Sequence, residues 1–278
     1  MFSLKHLIDE AKLLIFDLDG TLYEDTDHFD YYCRLMQQRV ADDKKQAFWD
    51  TYESMKEGTH PVAIGKVYDI KNDTSVTVDP MTLQVTKVTS FDGEEWPEER
   101  MKQEYAGELI YDFERLIAIG DGWWLPYATA MHFGLKQSDT WECYNATKEY
   151  MVTDQFHLTK TPGLKDGLVR LKEEKKLVLL TNSEREDVKR LLNELELEGV
   201  FHALYTEGHK PLKTKEKMQT ILDEFGVQPH EAVSIGDNFI NEIAPALLMG
   251  LKAIYIQPNG IEVEHEKLTV VPTLTNAL

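Results

Sequence analysis

From Lys176 onward the sequence repeats one texture: a short apolar run that ends in polar residues, then a segment with helical spacing. KLVLL runs into Thr181-Asn182-Ser183, and EREDVKRLLNELEL follows with Val188, Leu191, Leu192 and Leu195 on one face. FHALYTEG is the next strand candidate, and KTKEKMQTILDEFG reads as a helix through Met218, Ile221, Leu222 and Phe225, stopped by Gly226. AVSIGDN, FINEIAPALLMG and LKAIYIQP complete the pattern as strand, helix and strand; Pro245 is expected to kink the helix and Pro258 to end the strand. Strands that alternate with helices over short loops predict a parallel, doubly wound sheet of the α/β class. Strands that are apolar throughout fit burial on both faces.

LLIF at residues 13–16 has the same character and is expected to be the first strand of that sheet. Pro162-Gly163 marks a turn into the helix GLKDGLVRLKEEKK, which leads to the second. Between them the texture changes. HFDYYCRLMQQRVADDKKQAFWDTYESMKEG is helix-like and aromatic, residues 61–93 alternate β-branched residues with Asn-Asp, Asp-Pro and Asp-Gly breaks, and residues 97–119 read as helix again. The expected organisation is a Rossmann-like core of residues 1–23 and 156–278, with an α+β cap of residues 24–155 inserted after the first strand. Trp123, Trp124 and Tyr127 are expected in the core of that insert.

Ligands of open α/β sheets bind beyond the carboxyl ends of the strands. The residues collected there are Asp17-Leu18-Asp19-Gly20-Thr21, Thr181-Asn182-Ser183, Gly208-His209-Lys210-Pro211 and Gly236-Asp237-Asn238, with Asn241-Glu242 a turn later. A calcium loop starting at Asp17 is disfavoured, because Thr21 and His28 stand where acids would be needed. A carboxylate can attack phosphorus, a second can move a proton, and a hydroxyl, backbone amides and a lysine can hold phosphoryl oxygens. Several carboxylates crowded together call for a hard divalent cation with oxygen ligands.

These four segments, in this order, resemble the four motifs of the haloacid dehalogenase superfamily. The resemblance covers about residues 11–24 and 160–258 and does not extend in detail to the insert. It implies an Mg²⁺-dependent phosphatase in which Asp17 is the nucleophile and Asp19 the general acid and base. It implies phosphate contacts from Thr181, Asn182, Ser183 and Lys210, and metal ligation by Asp17, Asp237 and the backbone carbonyl of Asp19. Thr21, Asn241 and Glu242 would support these groups, Thr21 by hydrogen bonding in the turn. Glu242 stands where the family usually has Asp, and its longer arm is expected to change how it orients Lys210 or a metal-bound water.

The expected function is hydrolysis of a small phosphorylated metabolite through an aspartyl-phosphate. A phosphotransferase or mutase on the same scaffold is the alternative, with a non-catalytic metabolite-binding or regulatory protein a further one. The 49 acids against 30 Lys and Arg, a net charge of −19, disfavour nucleic acid and anionic membranes as partners. No apolar run approaches the roughly 18 residues of a membrane span. No signal peptide is read at the N-terminus, and Cys33 and Cys143 lack metal or redox spacing, so a cytoplasmic location is expected.

Overall fold

The computed structural model describes residues 4–79, 81–107, 109–112, 114–153, 155–156, 158–256 and 265–278. Pro258, the expected stop of the last strand, lies outside them. The chain divides into two compact units, one of residues 1–24 and 158–278 and one of residues 25–157. Among the described residues ten strands form: β1 (Leu13–Phe16), β2 (Lys66–Asp69), β3 (Thr74–Val78), β4 (Val85–Ser90), β5 (Leu116–Ile119), β6 (Lys176–Leu180), β7 (Ala203–Tyr205), β8 (Ala232–Gly236), β9 (Lys252–Ile256) and β10 (Leu268–Val271).

The first unit holds a six-stranded parallel sheet in the order β10-β9-β8-β1-β6-β7. Because side chains alternate across a strand, each strand feeds two cores. Leu14, Phe16, Leu177, Leu179, Val233 and Ile235 pack with Leu164, Leu168, Val188 and Leu191 from helices Leu164–Lys172 and Arg185–Glu194. Leu13, Ile15, Val178 and Leu180 pack with Met218, Ile221 and Leu222 from helix Thr214–Phe225, and with Ala246. This two-sided burial is why the strands read as unbroken apolar runs. Phe16 pairs with Leu179 on one side and Ile235 on the other, so both flanking strands end one residue beyond it. That register delivers Asp17, Thr181 and Asp237 to one edge of the sheet.

Two local expectations are corrected. FINEIAPALLMG is not one kinked helix: Phe239–Ile243 forms a π-type turn, and an α-helix restarts at Ala244 with Pro245 in its first turn. Proline costs nothing there, since its missing N–H would have no partner inside the helix. In addition, β10 extends the sheet beyond β9; its four residues end just before Pro272 and are too few to signal a strand by themselves.

The second unit is α+β, an antiparallel sheet β4-β3-β2-β5 with helices that include Asp27–Gln37, Lys45–Lys56, Trp124–His132 and Gln137–Tyr150. Here too the sequence reading needs correction. Among the described residues of 97–119 only Glu98–Glu104 is helical, and Leu116–Ile119 is a buried strand paired with β2. A four-residue apolar run carries no period that separates strand from buried helix. Tyr127 lies in the insert's apolar cluster, and Trp123 and Trp124 pack against it partly buried. No helix among the described residues is long and apolar enough to cross a membrane.

Asp69, at the end of β2, is fully buried and satisfied by many donors. Its carboxylate accepts from Arg115 Nη2 and Tyr105 Oη, each at 2.7 Å, and from the Lys71 amide at 2.9 Å. Asp69→Ala strands these donors and is expected to destabilise the insert by about 3 kcal/mol. All five tryptophans (Trp49, Trp96, Trp123, Trp124 and Trp141) lie in this unit. Denaturation followed by tryptophan fluorescence therefore reads the loss directly.

Candidate active site

β1 ends at Phe16, and the Asp17 amide donates to Ile235 O at 2.9 Å, so the chain stays in the sheet for one more residue. It then makes a single helical turn, with the Thr21 and Leu22 amides donating to Leu18 O at 3.3 and 2.9 Å. Gly20 allows that turn at φ +72°, and a Cβ there would sit 2.2 Å from Asp237 Oδ2. The backbone after Asp19 therefore lies directly against the Asp237 carboxylate.

Lys210 is buried and bridges two acids: its Nζ donates to Asp17 Oδ1 at 2.7 Å and to Glu242 Oε1 at 2.5 Å. Asn182 fixes its backbone, accepting from the Lys210 amide at 2.7 Å and donating to Lys210 O at 3.0 Å. The Asn182 side chain is thus committed to holding Lys210. Lys213, the other lysine close by in sequence, is exposed.

Glu242 uses both oxygens, taking Lys210 on Oε1 and the Asn238 amide on Oε2 at 3.0 Å. The extra methylene is accommodated by Gly236, where a Cβ would approach Glu242 Cγ to 2.8 Å. The π-type turn carrying Glu242 is capped by Asn238 Oδ1, which accepts from the Asn241 amide at 3.0 Å. π-type turns recur at functional sites.

Thr181 is buried, and its Oγ1 accepts from the Ser183 amide at 3.1 Å, which leaves the hydroxyl hydrogen to donate. That bond also occupies the Ser183 amide, one of the expected anion donors. Ser183 instead turns its Oγ to Asp19 Oδ2 at 2.9 Å, while the Tyr23 phenol donates to Asp19 Oδ1. The buried Thr21 Oγ1 has no protein hydrogen-bond partner among the described residues, so its expected orienting bond is not made.

Asp17, Asp237 and Glu242 place carboxylate oxygens within 4.8 Å of one another. Burial works to lower the Lys210 ammonium, but Asp17 and Glu242 outweigh it and push it above its ordinary value. Burial raises the Asp17 carboxyl, Lys210 opposes this, and Asp19 adds to the rise. The two shifts pull in different directions, one toward an ion pair and one toward a neutral acid. Two carboxylates contact one ammonium, which keeps Lys210 charged; the rise at Asp17 comes first from its burial, with the Asp19 charge adding to it. An all-oxygen donor set with surplus negative charge fits a hard divalent cation. Asp17, Asp237 and the neighbouring backbone of Asp19 are the groups that would hold it.

A parallel doubly wound sheet with these four strand ends defines a hydrolase class, and the sequence comparison agrees. The chain belongs to the haloacid dehalogenase-like hydrolase family, whose sequence model matches residues 11–250. It is similar to the human N-acylneuraminate-9-phosphatase, with 30% identity over 125 residues, which is 43% of this chain and 48% of that protein. The corresponding protein of Rattus norvegicus is 31% identical over 124 residues, again 43% and 48% of the two chains. The matched part spans about half the length of these relatives. Among solved structures, the putative HAD-hydrolase YfnB from Bacillus subtilis, crystallised bound to magnesium, superposes with a TM-score of 0.54. It covers 96% of each chain at 13% identity, a likeness of fold.

Proposed function

We propose that this hydrolase is an Mg²⁺-dependent phosphomonoesterase acting on a small phosphorylated metabolite. The observation that carries the reading is the division of labour between two neighbouring carboxylates. Asp17 is buried against Lys210, while Asp19 is held by two hydroxyls, from Tyr23 and Ser183. Acids in different surroundings can take different roles in one reaction.

In this reading an Asp17 oxygen attacks phosphorus and the bond from phosphorus to the ester oxygen breaks. Asp19 gives its proton to the departing oxygen. It then takes a proton from the water that attacks the aspartyl-phosphate, releasing phosphate and the Asp17 carboxylate. The Thr181 hydroxyl and the backbone N–H of Asn182 bind phosphoryl oxygens, and Lys210, poised by the Asn182 side chain and Glu242, adds positive charge beside them. Mg²⁺, when bound, supplies the charge that lets an anionic nucleophile meet an anionic ester.

The phosphatase relatives support an ester of a small molecule, and N-acylneuraminate 9-phosphate belongs in the first panel tried. Purified protein with MgCl₂ is expected to release phosphate from 4-nitrophenyl phosphate, to stop with EDTA, and to recover when Mg²⁺ is restored. No release from that ester or from a metabolite panel would overturn the reading and favour a binding protein. Transfer to an added sugar in preference to water would instead mark a phosphotransferase.

A further inference from the structure

We infer that Tyr23 is a positioning residue for Asp19, its phenol fixing one carboxylate oxygen so that the other is presented toward Ser183 and the phosphate-binding loop. The inference rests on the assignment of proton transfer to Asp19.

The placement follows from the backbone. The helical turn from Leu18 to Leu22 brings residues four apart to the same side, and Asp19 and Tyr23 also face each other across an isolated backbone bridge. The Tyr23 ring is fully buried in the apolar cluster with Phe16, Leu18 and Leu22. It therefore cannot swing away from the acid it contacts. The phenol is the only partner of this pair that carries a proton to give a carboxylate, so it is the hydrogen-bond donor. On the opposite oxygen Ser183 Oγ completes a clamp.

A short side chain held at both oxygens, one of them by a rigid ring, loses its choice of rotamer before substrate arrives. Nothing in DLDGTLY as a string separates this tyrosine from an ordinary core aromatic. The four-residue spacing from Asp19 becomes a signal only once the segment is known to make one helical turn.

The test is Tyr23→Phe, which keeps the ring and removes the hydroxyl. It uses three esters of rising leaving-group basicity: 4-nitrophenyl, phenyl and 4-methoxyphenyl phosphate. Nitrophenolate leaves readily without a proton, so its kcat/KM is expected to fall less than about threefold, whereas the 4-methoxyphenyl ester loses about tenfold or more. A misfolded fraction would scale all three esters alike, so the ratio reads positioning and not folding. An equal loss across the series, or none, would overturn the role of Tyr23 while leaving the phosphatase reading intact. A wild-type protein that cleaves none of the esters would overturn that reading, and this inference with it.

Discussion

Asp17→Asn is expected to abolish measurable phosphate release, a loss on the order of 10⁴-fold or more, as for other enzymes deprived of their nucleophile. The amide keeps the size and shape of the carboxyl but has no anionic oxygen to attack phosphorus. Its effect on stability should be the reverse of its effect on activity. Asp17 is buried, and its carboxyl is pushed up by that burial, with the Asp19 charge adding to the rise after Lys210 has opposed it. Replacing it with a neutral group removes one of the crowded charges, while Lys210 keeps Glu242 as a carboxylate partner. The variant is therefore expected to melt at or above the wild-type temperature while turning over no 4-nitrophenyl phosphate. Full activity would dispose of the nucleophile assignment. A lost fold would mean that the Asp17–Lys210 bond stabilises the protein more than the crowding costs.

The core was legible because its constraints are local and repeated. Apolar strands buried on both faces, each followed by an amphipathic helix, admit few arrangements, and the polar residues at their ends then converge by topology alone. Lys210 could be preferred to Lys213 from its Lys-Pro context, and it is the one buried against Asp17. What escaped were features set by tertiary partners. LIAI is a strand because β2 lies beside it, a fact absent from its own four residues. Thr21 looked like an orienting hydroxyl, yet in the fold the turn is closed by backbone bonds to Leu18. Glu242 stands where the family usually has Asp, and its longer arm is read from the sequence as a change in how it orients Lys210 or a metal-bound water. Its compatibility depends on Gly236 making room for the methylene and on the Asn238 amide donating to the second oxygen. The insert's sheet was visible as alternation with turn signals, but its fourth strand, β5, was not, because it joins β2 from far along the chain.

Lys210→Met, unlike Asp17→Asn, is expected to lower rate and stability together. Its ammonium contacts Asp17 at 2.7 Å and Glu242 at 2.5 Å with almost no solvent access. Removing it leaves two buried carboxylates facing each other with Asp237 close by, a loss of about 3–5 kcal/mol if nothing compensates. Rate is expected to fall by about 10²–10³, the effect of deleting one preorganised charge partner of a developing anion. A cation that binds the folded protein and not the unfolded one should restore part of the stability. The rise in melting temperature on adding MgCl₂ is therefore expected to be larger in Lys210→Met than in the wild type. The converse substitution isolates geometry from charge. Glu242→Asp keeps the carboxylate but shortens its reach, so it can hold the Lys210 ammonium or the Asn238 amide and not both. It is expected to lower kcat while leaving the Mg²⁺-induced shift near the wild-type value. If Lys210→Met instead gave the wild-type Mg²⁺ shift, the surplus negative charge at this edge of the sheet would not be what draws the cation.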